Sequence, residues 1–569
     1  MAVVLCPFVA TSGPSATATS TSSTAATAQP TTFHVATNGR DSASGTPSSP
    51  LRTLGAAIRR ARSGDRIVVH RGSYHEEIEI PEGKRLSIRS APGARVWLEG
   101  SRRVTSWRGE GGLYVHTGWR AEFDSSPTYS WGQPDNEEEG WEFVNRRHPM
   151  AAHPDQVWIG GRAQRQVATR RDVRPGTFFV DEAGDRLYLG SDPRGKSVRA
   201  SDIAKAVSIR GAGSSVSGLG VRRFAPSVPH MGAVTVEAPD VSLSDMRIDR
   251  NATTGLHVMK SDVTLTNLKL TRNGMLGASA TYADGLRAIG LRVRRNNTER
   301  FNFSPVAGGI KVGRTRGVLV RNSEFSHNAG TGLWLDESSY AVTVLSSTMR
   351  DNLHHGLSLE ISARAVVADT VIAGNADDGI KINDTSDVSV WNNTIVGNGR
   401  PVNIVQDDRD PSDLSTPGHD PRQPRPDPTM TWINGPVQVH NNILSASRAG
   451  NCLLCVEDFS ERFSAEEMRI HASGNVYQRR DRSSPTWAVV WSRGSGDPEV
   501  FTSVRAFHAA TGEEPRHADL VGVPAVTSSL RATHHVTTRT GEVAGRLPRQ
   551  LALLLGRLPG TRHLGAWFD

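Results

Sequence analysis

Cysteine is nearly absent from the chain, with three in 569 residues. Cys452 and Cys455 form a C-x-x-C with no second pair, which excludes a zinc ribbon. No strand–helix–strand pattern surrounds them, so a thioredoxin-like site is excluded too, leaving a local disulfide or two buried thiols. No later apolar run reaches transmembrane length, so no membrane span is expected. Lysine is scarce, and arginine supplies most of the +8 formal charge. No basic run interleaves with aromatics, so nucleic acid is not an expected partner. No dense carboxylate cluster supports a calcium site, and no cofactor is expected. The apolar share of 37% is that of an ordinary folded protein.

What is present begins with an apolar stretch, MAVVLCPFVA, followed by Ser, Thr, Ala, Pro and Gly to residue 32. Residues 1–32 read as the end of a secretory signal and a linker, so a secreted, extracellular protein is expected. Residues 33–103 read as an N-terminal cap and first coils. Leu51, Leu54, Ala57, Ile58 and Ala61 make one face of a short helix, and strands follow at Ile67–Val69 and Ile78–Ile80. Residues 104–200 break this pattern with five tryptophans and GTFFVDEAGDRLYLG, and read as an inserted β-rich subdomain.

A repeat then dominates residues 201–449. NATTGLHVM, NAGTGLWLD, NLHHGLSLE and NADDGIKIN each place a Gly four residues after an Asn. The phase is shared by Asn251, Asn273, Asn296, Asn328, Asn352, Asn375 and Asn398, at separations of 22, 23, 32, 24, 23 and 23. Alternating strands lie between them, and a period in this range signals a solenoid. Period-two alternation excludes helical repeats, and the leucine-rich framework is missing. Asn tolerates left-handed backbone and its amide can bond along a stack. The fold expected is all-β: a right-handed parallel β-helix. Residues 450–569 lose the period and read as a C-terminal coil and cap, with the solenoid ending near VQVHNNILSAS, a helix in GRLPRQLALLLGRL and a last strand in GAWFD.

Phasing the strands on Gly255, Gly332, Gly356 and Gly379 turns Leu333, Leu335, Leu357 and Leu359 inward. His257, Trp334, Ser358 and Lys381 then face outward, with Lys311 in phase. Asp336, Glu360 and Asn383 follow two residues on. Asp336 and Glu360 are therefore neighbours on adjacent coils, about 5 Å apart at the parallel-strand spacing. That separation suits a retaining rather than an inverting glycosidase. Exposed Trp334 offers a face for a sugar ring, Gly313 leaves space on the preceding coil, and Lys311, Lys381 and Asn383 can bond hydroxyls. His257, His355 and Asp378 are further candidates for binding substrate.

GLWLDES followed one coil later by HGLSLEIS resembles the carboxylate pair of β-helical glycoside hydrolases. These include a β-xylosidase family and a related family with α-fucosidase and xylanase activities, within the pectate-lyase-like superfamily. The resemblance implies that Asp336 is the nucleophile and Glu360 the general acid/base, acting on a polysaccharide or oligosaccharide. One rival is a lyase of uronic-acid polymers, with Lys311 or Lys381 as base and Asp377 with Asp378 helping to hold Ca²⁺. Another is a non-catalytic carbohydrate-binding solenoid, in which His354 and His355 are ordinary turn residues. A monomer is expected.

Overall fold

The computed structural model describes residues 29–448 and 452–568, so most of the signal-like stretch lies outside the described residues. The alternating segments stack into three sheets of thirteen strands each. The pairing is parallel, except for one antiparallel strand, Glu499–Phe501, at the end of one sheet. Each coil gives one strand to each sheet, which is a parallel β-helix. The inward row is apolar: Leu333, Leu335, Leu357 and Leu359 are fully buried. Each such leucine contributes roughly 1.5–3 kcal/mol by leaving water. The register pairs Leu333 with Leu357 and Leu335 with Leu359, as the phasing requires.

The recurring Asn and Gly have one shared cause. The asparagines form a buried ladder in which each backbone N–H and side-chain amide donates to the next Asn Oδ1. Asn328 N and Nδ2 lie 3.1 and 3.0 Å from Asn352 Oδ1, and Asn352 repeats this onto Asn375 at 3.1 and 2.9 Å. A Cβ on Gly356 would stand 2.7 Å from Asn375 Nδ2, so the ladder of one coil excludes a side chain on the strand start of the coil before. The left-handed backbone is not at these asparagines. It falls one residue earlier, at Arg250, Arg272, Arg295, His327 and Asp351.

The short helix is Leu54–Arg60, with Thr53 Oγ1 capping Ala56 N and its apolar face buried at the first coil. An eight-stranded sheet from Ser101 to Ser201 carries its own apolar core around Trp119, Phe178 and Leu187. The expected end of the solenoid is corrected by its sheets. Strands Leu454–Asp458, Ile470–Ser473 and Asn475–Arg479 continue them, and His517–Val521 closes one. A helix, Arg549–Leu555, packs Leu551, Ala552 and Leu555 against Leu345 and Ala368 on the outside. The expected final strand is absent: Gly565–Phe568 is irregular and crosses that face, with Trp567 N bonded to Asp369 Oδ1 at 2.7 Å. Cys452 and Cys455 are joined as a disulfide.

Candidate functional site

Strand Thr331–Asp336 lies between Gly308–Gly313 and Leu357–Glu360 in one sheet. Its outward row runs His257, Ser279, Lys311, Trp334, Ser358, Lys381, Asn403. The parallel row two residues on runs Thr281, Gly313, Asp336, then Glu360, Asn383 and Val405. Since Leu335 pairs with Leu359, Asp336 and Glu360 sit side by side on adjacent coils. Their backbones are separated by about 4.8 Å, the parallel-strand spacing.

Four of the residues expected at the site touch one another. Lys311 Nζ is 2.9 Å from Asp336 Oδ2 and 3.9 Å from the centre of the Trp334 ring. Trp334 Nε1 donates to Glu360 Oε2 at 3.1 Å. Asp336 Oδ1 accepts the Glu337 N–H at 2.7 Å. Burial works to lower the Lys311 ammonium, but Asp336 and Glu337 outweigh it and hold it well above its ordinary range. Two expectations change here. Trp334 is only 9% exposed, because its N–H and ring are both engaged. The space beside Gly313 is taken by Glu337, whose Oε2 would lie 3.1 Å from a Cβ there.

The site is walled by segments outside the repeat. From the Pro- and Asp-rich loop near 406–430, Arg409 donates to Glu360 Oε1 at 3.1 Å. Its other guanidinium nitrogen lies 2.8 Å from both Asp384 and Asp407. Burial and the hydrogen bond with Asp407 hold the Asp384 carboxyl well above the carboxylate range, so this pair keeps a proton on Asp384. The loop is pinned by Ser338 Oγ to Gly418 O at 2.8 Å and by Arg314 Nε to His419 O at 2.9 Å. Opposite it, the insertion after Asn296 accepts Lys311 Nζ at Pro305 O, 2.8 Å away. Tyr129 joins from the eight-stranded region. Burial of its hydroxyl raises it to about 12 although the residue is exposed overall, and the charges of Lys311 and Glu337 both bear on it.

A second cluster sits one coil on, at the turn. Phe303 of the insertion stacks on His354 at 4.0 Å. His354 Nε2 is 3.1 Å from Asp377 Oδ2, and His355 Nδ1 is 3.3 Å from Asp378 Oδ2. Burial and the Lys381 charge push His354 down to about 3, and burial pushes Asp378 up to about 6. Burial also holds His355 well below its ordinary range, so both histidines are neutral. Ligand atoms of His354, His355 and Asp377 lie within 4.8 Å of one another, a donor set for a transition metal. Two nitrogens and one carboxylate do not fit the all-oxygen shell of Ca²⁺.

Asn383 is tied to Asp407 Oδ2 at 3.2 Å and Val405 O at 3.3 Å, beside Glu360. His257 stands apart, fully buried three coils from Trp334, bonded to Ser279 Oγ at 2.6 Å and lowered to about 4 by burial. Arg409, Asp384, Asp407, Glu337 and Tyr129 were not foreseen. Glu337 and Asp384 lie beside residues that phasing selected. Arg409 and Tyr129 come from segments that carry no period.

Comparison of the sequence with curated proteins finds no match. The family described as "Right handed beta helix region" matches residues 232–404. The solved complex of XylC with xylose is 16% identical, covers 86% of each chain and superposes with a TM-score of 0.57. The chain is a right-handed parallel β-helix. It shares this fold with the XylC structure. A structure named as a glycoside hydrolase is 12% identical over 92% of this chain and 99% of that one, with a TM-score of 0.35. The pectate lyase Pel9A is 12% identical over 78% and 79%, also at 0.35.

Proposed function

We propose that this β-helix is a carbohydrate-active enzyme, a retaining glycoside hydrolase that uses Asp336 and Glu360. The observation that carries the reading is their placement on adjacent coils, side by side, on a face walled by the 406–430 loop and the 297–307 insertion. Strands about 4.8 Å apart place adjacent side chains within reach of the ~5–5.5 Å carboxyl separation of retaining enzymes, which favours retention over the wider gap that inversion needs. Asp336 attacks the anomeric carbon while Glu360 protonates the leaving oxygen. Glu360 then takes a proton from the water that releases the sugar. Lys311 and the Glu337 N–H orient Asp336, and Trp334 orients Glu360. Arg409 has Asp384 and Asp407 to satisfy it when Glu360 takes up a proton. A secreted location belongs to the same reading and agrees with the Cys452–Cys455 disulfide.

The lyase alternative loses one of its bases. A base for proton abstraction needs a value near neutral pH, and Lys311 is held well above its ordinary range. Asp336→Asn is expected to abolish turnover of activated aryl glycosides across a sugar panel. Proton NMR on the wild type is expected to show retained anomeric configuration. Wild-type rates in the variant, an inverted product or an unsaturated product would each sink the assignment.

A further inference from the structure

The turn before strand Leu357–Glu360 carries two histidines in succession, and the turn one coil on carries two aspartates in the same places. His354 Nε2 is 3.1 Å from Asp377 Oδ2, and His355 Nδ1 is 3.3 Å from Asp378 Oδ2. This cluster sits at the start of the strands. Glu360 closes the far end of its strand, four residues past Gly356 and roughly 13 Å away at the rise of a β-strand. The cluster is therefore out of reach of a bond held between Asp336 and Glu360, and the double displacement makes no use of it.

Two features suit these side chains to a cation. The first is how the imidazoles are held. His354 Nδ1 is 2.9 Å from Thr331 Oγ1, and Phe303 covers the ring at 4.0 Å. With Nδ1 engaged there, Nε2 is the nitrogen turned to Asp377. His355 Nδ1 is taken by Asp378, whose N–H lies at 3.2 Å and whose carboxylate lies at 3.3 Å. His355 Nε2 has no hydrogen-bond partner among the described residues, although His355 is only 8% exposed. A buried ring nitrogen without a partner is rare. A histidine that donates from Nδ1 to a carboxylate presents a bare Nε2, and metal-binding imidazoles are held in this way.

The second feature is convergence. One ligand atom from each of His354, His355 and Asp377 lies within 4.8 Å of the other two. Ligands of one tetrahedral zinc, each about 2.0–2.2 Å from the metal, stand roughly 3.4 Å apart. The His354–Asp377 separation already fits, and a shift of about 1.4 Å or less closes the widest gap. Two imidazoles and a carboxylate suit zinc and its first-row neighbours, whereas Ca²⁺ takes oxygen ligands. Lys381 and Arg400 both bear on Asp377. Arg400 is answered by Glu457 at 2.6 Å, which leaves Lys381 as the cation that a metal must tolerate. Asp377 is exposed, so metal enters from solvent and a fourth position stays open to water.

We propose that His354, His355 and Asp377 form a zinc site with three protein ligands, and that the metal clamps the 297–307 insertion to the solenoid. Phe303 of that insertion lies on the His354 ring, and two residues on Pro305 O accepts Lys311 Nζ at 2.8 Å. A fixed His354 ring thus steadies one wall of the face that holds Asp336. The site does not depend on the hydrolase reading. The test is isothermal titration of the EDTA-treated, tag-free full chain with zinc chloride and with calcium chloride. Hydrogen exchange of the 297–307 peptides is read before and after zinc. One zinc per chain at micromolar affinity or tighter, calcium at least a hundredfold weaker, and at least twofold slower exchange in 297–307 are expected. Asp377→Asn, at an exposed position, is expected to weaken zinc at least tenfold, and His355→Gln to do the same. Cobalt(II) in place of zinc is expected to give the visible absorption of a tetrahedral ion, which His355→Gln loses. His327→Ala, which breaks the surface pair of His327 with Asp351, and Asp336→Asn leave zinc binding unchanged. No zinc binding, binding that Asp377→Asn and His355→Gln both leave intact, or calcium bound as tightly as zinc would overturn the site. Unchanged exchange in 297–307 would overturn the clamp.

Discussion

At the residue scale the site is a set of buried or half-buried charges, each answered by another. Asp336 is 6% exposed and depends on Lys311 at 2.9 Å. Removing one partner of a buried pair leaves an uncompensated charge and costs about 3–5 kcal/mol. Lys311→Met is therefore expected to lower unfolding free energy by about that amount in chemical denaturation. Adding Asp336→Asn is expected to recover part of the loss, because the two positions are coupled. A loss below about 1 kcal/mol, or strict additivity, would contradict the pair as drawn. The same reasoning explains what the sequence hides. The outward phase of Trp334 implies an exposed ring. Its indole N–H instead donates to Glu360 and its ring lies under Lys311, contacts that depend on neighbouring coils.

At the scale of the element, the asparagine ladder and the glycines are one device. Asn352 Oδ1 accepts both Asn328 N and Nδ2, and its own Nδ2 serves Phe325 O at 3.1 Å. Each buried group left unpaired costs roughly 1–3 kcal/mol. Asn352→Ala is expected to destabilise the chain by at least about 2 kcal/mol in urea unfolding, and a change near zero would show that the ladder is decorative. A second ladder runs Asn393, Asn442, Asn475 and ends on Glu514, fully buried with Tyr477 Oη at 2.9 Å. Burial pushes Glu514 up from 4.5 to about 8. The folded chain thus keeps a proton that the unfolded chain has released, and stability falls as pH rises through that window. Glu514→Gln cannot titrate. Its stability is expected to decline less between about pH 4.5 and 8 than that of the wild type, read from denaturation at several pH values. Identical pH slopes would refute the assignment.

At the scale of the molecule, the solenoid was legible where its coils are short. Seven asparagines at near-constant spacing set the phase, and the phase placed the four leucines inside and Asp336 beside Glu360. Legibility fails where insertions stretch a coil. Along the second ladder the separations are 49, 33 and 39 residues, so the last coils show no period and residues 450–569 read only as a coil and cap. The walls of the site share this problem. Arg409 and Tyr129 are brought to Glu360 and Lys311 by long-range folding of aperiodic segments, with no local signature to mark them. A repeat specifies a surface, and its insertions decide which part of that surface becomes a groove. The account stands on the proposal that Asp336 is the nucleophile of the walled face. The most direct measurement is mass spectrometry of the full chain after treatment with a panel of 2-deoxy-2-fluoro glycosyl fluorides, followed by peptide mapping. A glycosyl adduct on Asp336, absent in Asp336→Asn, is the result expected. An adduct on another residue, or steady turnover of a glycoside whose fluoro analogue leaves no adduct, would contradict it.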